Sequence, residues 1–184
     1  FRERFGDDAL IVFTSDHGDV LGEHHRMEKH QMYEAAVRVP YIVCWPGQVP
    51  AGTTSDALCE QIDMFPTVLG LVGGDWARAA TAGRDRSAEM RAGKLAGTEY
   101  VFSENHDVGP VAYTAMARSR DGKLVLYLDR DGETTSWEYY NLARDPHELN
   151  NVFDDPAERD AIASHRQAMQ DGMLQTRRWV PPAR

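Results

Sequence analysis

Between Thr98 and Leu142 the chain alternates apolar runs with turn residues, and this pattern limits the fold more than any other feature. "TEYVFSE" (98–104), "VAYTAMARS" (111–119), "GKLVLYL" (122–128) and "SWEYYNL" (136–142) are rich in β-branched, aromatic and long apolar residues, with Gly, Pro and Asp between them. Four short strands at that spacing predict a small antiparallel sheet. "PAERDAIASHRQAMQDGMLQTRRW" (156–179) follows as a terminal helix, with Pro156 at its start and Ile162 and Met169 on one face.

The first half reads as α/β. "ALIVF" (9–13) predicts a buried strand, and the polar stretch after it is the loop leaving the strand's C-terminal end. In open α/β sheets that is where ligands bind. "QMYEAAVRV" can form a short helix, and "VPYIVCW" reads as a second buried strand closed by the turn "PGQVPAG". "TSDALCEQIDMFPTVLGLVG" starts extended and becomes a helix, with Ile62, Phe65, Leu69 and Val72 at three- and four-residue spacing. Pro66 suits its first turn, and Gly73-Gly74 ends it. Residues 75–97 predict a solvated connection with one short helix. The composition changes after it, which divides the chain into 1–96 and 97–184.

At 184 residues the chain can bury a sizeable core. A net charge of -9 argues against nucleic acid as a partner, because phosphate backbones recruit basic surfaces. A small anion remains compatible where a local group of cations overrides the overall field. No apolar run approaches the roughly 20 residues of a membrane helix. The chain begins with Phe, without a signal-peptide pattern, and reaches a strand within a dozen residues; this predicts a piece of a longer protein and leaves localisation open. Cys44 and Cys59 are too few for a disulfide framework and are expected as two buried thiols.

The loop "FTSDHGDVLGEHHRMEKHQMYEAAVRVP" (13–40) carries four of the seven histidines. Asp16 and His17 would face opposite sides of a continuous strand, so both can meet one ion only if the chain turns there. Gly18 permits such a turn. A carboxylate beside an imidazole suits a divalent cation, although the tripeptide alone reads more readily as a turn or cap. Lys29, twelve positions on, could hold a tetrahedral anion or neutralise a leaving oxygen; on composition alone it is a solvated lysine. His24, His25 and His30 are further donors to such an anion, and spacing does not choose between them. Glu34 and Arg38 stand four apart and fit a helical ion pair.

Taken together, the ordered set Ser15-Asp16-His17-Gly18, Leu21-Gly22-Glu23-His24, Lys29 before Tyr33-Glu34, Arg38-Val39-Pro40 and Trp45-Pro46-Gly47 resembles the sulfatases of the alkaline-phosphatase-like superfamily. "QIDMFPTVLGLVG" resembles that family's following helix, and "DGKLVLYL…WEYYNLARDPHELNNV" its closing strands. The resemblance covers nearly the whole chain. It implies the C-terminal part of an alkaline-phosphatase-like α/β sandwich (1–96) followed by a small antiparallel sheet with a terminal helix (97–184). It also implies Asp16 and His17 as ligands of a divalent cation, calcium in most members and manganese or another ion in some. An imidazole at His17, where many members have Asn, widens the range of metals. Lys29 matches the lysine that contacts the sulfate ester, and His24 is counted beside it as a substrate-binding candidate.

The family's nucleophile is a formylglycine made within C/S-x-P-x-R, near paired aspartates. "CWPGQ" (44–48) has the Cys and the Pro but Gln48 in place of Arg, and it belongs to the later W-P-G element, so Cys44 is rejected as nucleophile. The reading is a sulfatase-type hydrolase segment that carries metal ligands and an anion-binding lysine without the formylglycine segment. Its substrate would be a sulfate ester or related anionic glycan. A phosphonate monoester or phosphodiester hydrolase shares the architecture, and a non-catalytic metal- or glycan-binding module is the alternative from another class. A purely structural α/β domain leaves the ordered motifs unexplained.

Overall fold

The computed structural model describes residues 2–6, 8–75, 82–108 and 111–176. The predicted helix residues 177–179 and part of the predicted connection, 76–81, lie outside them. The chain divides into two compact units, one of residues 1–16 and 39–98, the other of 17–38 and 99–184.

The second unit is built on a four-stranded antiparallel sheet in the order β3 (Val101–Val108), β4 (Val111–Arg118), β5 (Gly122–Leu128) and β6 (Thr134–Asn141). Each strand pairs with its sequence neighbour, as the turn spacing predicts. Successive side chains of a strand point to opposite faces, so a strand is buried throughout only where both faces are covered. That is the case for β4 and β5. On one face α5 (Arg159–Thr176) lays Ile162 and Met169 against Ala115, Ala117, Leu124 and Leu126. On the other, Met32 and Val37 cover Met116, Val125 and Tyr127. Burying each leucine contributes roughly 1.5–3 kcal/mol. The segment 17–38 is thus part of this core, and Lys123 lies on the face it covers.

The first unit contains α1 (Arg2–Phe5) and a two-stranded antiparallel pair, β1 (Ile11–Thr14) with β2 (Tyr41–Cys44), in which Phe13 faces Ile42. The expectation that both strands are buried fails on one face. Phe13 and Ile42 are 59% and 58% exposed, because direct cross-strand partners share a face and this one is open. Cys44 and Cys59, expected as buried thiols, are only half-buried.

The third helix, α3 (Met64–Leu71), follows a 3-10 turn at Gln61–Asp63, and Gly73 at φ 78° ends it, as predicted. Its buried face is not the apolar one expected. Phe65 and Val72 are exposed, whereas Asp63, Pro66, Thr67 and Leu71 are buried. The cause is a polar network from the segment before α4 (Ser87–Arg91). Arg86 Nε donates to Asp63 Oδ2 at 2.9 Å, Arg84 N to Asp63 Oδ1 at 2.7 Å, and Arg86 N to Thr67 Oγ1 at 3.0 Å. A Cβ on Gly70 would lie 2.5 Å from an Asp85 carboxylate oxygen, so glycine is what allows this approach. Part of the connection expected to be solvated is therefore core, with Arg86, Ser87 and Met90 buried.

Candidate active site

The loop after β1 is held by side-chain and backbone hydrogen bonds. Gln61 Nε2 donates to the Ser15 carbonyl, and Asp16 follows with an exposed carboxylate that accepts from Ser15 Oγ at 3.4 Å. Within the second unit, Gly18 N donates to Ala36 O at 2.7 Å. Gly18 is needed for close approach rather than for an unusual φ: a Cβ there would sit 1.9 Å from the Ala35 carbonyl oxygen. Beyond it the chain folds into a narrow loop, with Val20 N donating to Glu28 O at 3.0 Å and Gly22 N to Arg26 O at 2.9 Å. Closing it places Leu21, His24, His25 and Glu28 at positive φ. Such backbone costs on the order of 1–3 kcal/mol per non-glycine residue and persists only where the surroundings enforce it. The buried side chains of Val20 and Met32 and the stack of His24 on Tyr33 supply that enforcement.

The loop brings His17 and Lys29 together. Lys29 Nζ lies 2.6 Å from His17 Nε2, and His17 Nδ1 lies 2.6 Å from the Gly18 carbonyl oxygen. A carbonyl only accepts, so Nδ1 donates to it. Nε2 then carries the lone pair and accepts from the Lys29 ammonium. An imidazole whose Nδ1–H is fixed by a backbone carbonyl presents Nε2 in the manner of a metal ligand. Among the described residues, no group of three or more His, Cys, Asp or Glu side chains converges as a metal cage. The donor chemistry of Asp16 and His17 fits a divalent cation, but two donors fall short of the four that zinc takes or the six to eight of calcium.

His24 stacks flat on Tyr33, ring centroids 3.7 Å apart, and is half-buried. Burial raises the Tyr33 phenol pKa, against a hydrogen bond to Tyr140 that lowers it. His25 is exposed. His30 Nε2 contacts Glu28 Oε2 at 3.0 Å, so the carboxylate preceding Lys29 meets a histidine.

One group in this unit escaped the sequence reading. Glu34 opens α2 (Glu34–Val37), and its carboxylate does not pair with Arg38, which is exposed. Arg118 Nε and Nη2 donate to its two oxygens at 3.1 and 3.0 Å, and Lys123 Nζ lies 2.8 Å from Oε1. Lys123, fully buried, also donates to Glu148 Oε1 at 2.7 Å and to Met32 O at 2.8 Å. Burial alone would raise the Glu34 pKa, but Lys123 and Arg118 outweigh it and hold the carboxyl below its ordinary value. The available signal was a lysine inside the apolar run "GKLVLYL", which marks a buried cation that needs acceptors.

Comparison with known proteins adds the lineage. The family described as "N-sulphoglucosamine sulphohydrolase, C-terminal" matches residues 22–175. The chain is 32% identical over 161 residues to an N-acetylglucosamine-6-O-sulfatase of Bacteroides thetaiotaomicron, covering 83% of this chain and 28% of that protein. It is 30% identical over 172 residues to the multifunctional alkaline phosphatase superfamily protein PehA of Trinickia caryophylli, covering 88% and 33%. Among solved structures, BT4656 in complex with its substrate D-glucosamine-2-N,6-O-disulfate superposes with a TM-score of 0.86 at 26% identity, over 98% of this chain and 37% of that one. The phosphonate monoester hydrolase of Silicibacter pomeroyi gives 0.80 at 27% identity, over 93% and 36%. The chain thus spans about a third of the length of these relatives, matching their mixed α/β fold with its antiparallel sheets and terminal helix. By family match, sequence and fold alike, this chain belongs to the sulfatases, in the N-sulphoglucosamine sulphohydrolase C-terminal family.

Proposed function

We propose that this chain forms the C-terminal part of a sulfatase that cleaves sulfate esters of an amino sugar, and that His17 and Lys29 stand at its reacting group. The contact of 2.6 Å between His17 Nε2 and Lys29 Nζ carries this reading, because it unites a ligand-type imidazole with an ammonium from twelve residues away. Asp16 and His17, consecutive in the chain, would hold a divalent cation, calcium or manganese by resemblance. When bound, that ion would polarise the ester oxygens, while formylglycine, expected in a preceding segment, would supply the nucleophile.

The chain's own residues do the rest. The single Nε2 lone pair of His17 cannot serve a cation and Lys29 at once. Ligation at His17 therefore frees the Lys29 ammonium for a sulfate oxygen. There it opposes the charge that builds as the sugar oxygen leaves, where a preorganised cation is most effective. The positive-φ loop fixes the backbone that carries both groups, so only the Lys29 side chain changes partner. His24 stays on Tyr33 and acts as a wall of the loop, with substrate contact limited to its edge. The amino-sugar substrate is supported by the relatives above, one named for N-acetylglucosamine-6-O-sulfate chemistry and one solved with a disulfated glucosamine.

Phosphonate monoester hydrolysis is the second reading, favoured by the likeness to the Silicibacter pomeroyi enzyme. The test is turnover by the full-length protein on glucosamine 6-sulfate, an aryl sulfate and an aryl phosphonate monoester. A kcat/KM at least a hundredfold higher on the sulfates is expected. The opposite order replaces the first reading by the second, and turnover of none of them removes both.

A further inference from the structure

The proposed site depends on where residues 17–38 lie, and the contacts of that segment converge on a few charged side chains. Lys123 is 0% exposed, and its ammonium has three acceptors: Met32 O at 2.8 Å, Glu34 Oε1 at 2.8 Å and Glu148 Oε1 at 2.7 Å. Two of the three belong to the segment. Glu148, 3% exposed, has its other oxygen on Glu34 N at 2.7 Å, so it satisfies an otherwise unpaired donor at the start of α2. Arg118 closes the group with its two-pronged bond to Glu34. Two cations and two carboxylates leave no net charge. Glu148 reaches this place only at φ 55°, a strained conformation for a non-glycine residue.

From this group a short mechanical path leads to the site. Glu34 fixes the first residue of α2, and Ala36, in the same turn, accepts from Gly18 N at 2.7 Å. Gly18 is the neighbour of His17, and its carbonyl accepts from His17 Nδ1. Met32 O, held by Lys123, is three residues after Lys29. Both ends of the loop are thus tied to strands β4 and β5 through one charged cluster. An apolar plug of the same volume would bury the surface as well, but it would not choose one register for α2. Specifying an arrangement is the best-attested use of buried ion networks.

We infer that Lys123 and Glu148 are positioning residues: with Arg118 and Glu34 they clamp the loop bearing His17 and Lys29 onto the sheet and set its register. The structural clamp stands on the contacts above. Its consequence for turnover rests on the function proposed in the preceding section.

The test is hydrogen exchange of the full-length protein, followed at the amides of Gly18, Val20 and Gly22, with the amides of β4 and β5 as internal reference. Lys123→Met combined with Glu148→Gln removes one charge of each sign and leaves Glu34 with Arg118. The expected result is at least tenfold faster exchange at the three loop amides, with the strand amides within threefold of the parent. Uniform acceleration of loop and strand amides, or no change at either, overturns the clamp. Should the double variant not fold, Glu148→Gln alone gives the same contrast. In the full-length protein the double variant should lower kcat at least tenfold and leave KM within threefold, since it displaces groups without removing any that touch substrate. Selective loop exchange with an unchanged kcat overturns the positioning role. Selective loop exchange in a protein whose parent hydrolyses no sulfate ester supports the clamp and removes the proposed function instead.

Discussion

Glu34→Gln isolates the electrostatic centre of the second unit. The substitution keeps the volume and one acceptor but removes a carboxylate that receives two bonds from Arg118 and one from Lys123. Removing one partner of a fully buried pair costs roughly 3–5 kcal/mol. Two observations reduce that figure. Lys123 keeps Glu148 and Met32 O, and the side chains of Glu34 and Arg118 are 17% and 16% exposed, so water relieves part of the loss. The expected destabilisation is about 2–3 kcal/mol. At about 2–4 °C per kcal/mol for a chain of this size, the melting temperature should fall by about 4–12 °C at pH 7. The pH dependence gives the sharper check. The folded-state pKa of Glu34 lies below its unfolded value, so the folded state binds its proton less readily. Its stabilisation is therefore complete above the ordinary carboxylate value of 4.5 and is lost as pH falls through the lower folded value. Thermal unfolding of parent and variant by circular dichroism at pH 7, 5, 4 and 3 should show a gap that is full at pH 7 and 5 and narrows below pH 4.5. A gap that stays constant down to pH 3, or is absent at pH 7, would refute the reasoning.

Gly18→Ala places a methyl group 1.9 Å from the Ala35 carbonyl oxygen, so equilibrium denaturation should show about 2–3 kcal/mol lost, the upper range for overpacking. Arg86→Met leaves Asp63 buried without its cation; a loss of roughly 3–5 kcal/mol is expected, and a denaturant midpoint equal to the parent's would contradict the network assigned to α3. Asp16→Ala in the full-length protein should weaken calcium or manganese binding by isothermal titration and lower activity in parallel, and full activity at limiting metal would remove Asp16 from the ligand set.

The sheet was legible because its signals are local. Each strand from β3 to β6 is bounded by Gly, Pro or Asp, and the Ile162–Met169 face of α5 follows from spacing alone. The expectations that failed depended on partners distant in sequence. The spacing of Phe65, Leu69 and Val72 marked an apolar face for α3, but Arg86 makes the face of Asp63 and Thr67 the buried one, and no window of helix residues contains that arginine. Glu34 and Arg38 satisfy the four-residue rule, which presumes an exposed helix. α2 has only four residues, and Glu34 finds Arg118 and Lys123, 84 and 89 positions later. Gly18 was identified as a turn residue when its need is the closeness of Ala35, a steric fact with no local signature. At the candidate site the residue types stood in the motifs, whereas the bonds of His17, the stack of His24 on Tyr33 and the three acceptors of Lys123 arise only in the folded chain.

The central claim is that Lys29 stabilises the departing group without holding the cation. The most direct measurement combines metal stoichiometry and single-turnover rate on the same preparations of full-length Lys29→Ala. Loss of one transition-state charge stabiliser is expected to slow the chemical step by roughly two to three orders of magnitude. Metal content should equal the parent's, and Lys29→Arg should recover only part of the rate, because a planar guanidinium replaces a compact ammonium poorly. A Lys29→Ala protein that turns over at the parental rate, or that loses its metal along with its activity, would contradict the account.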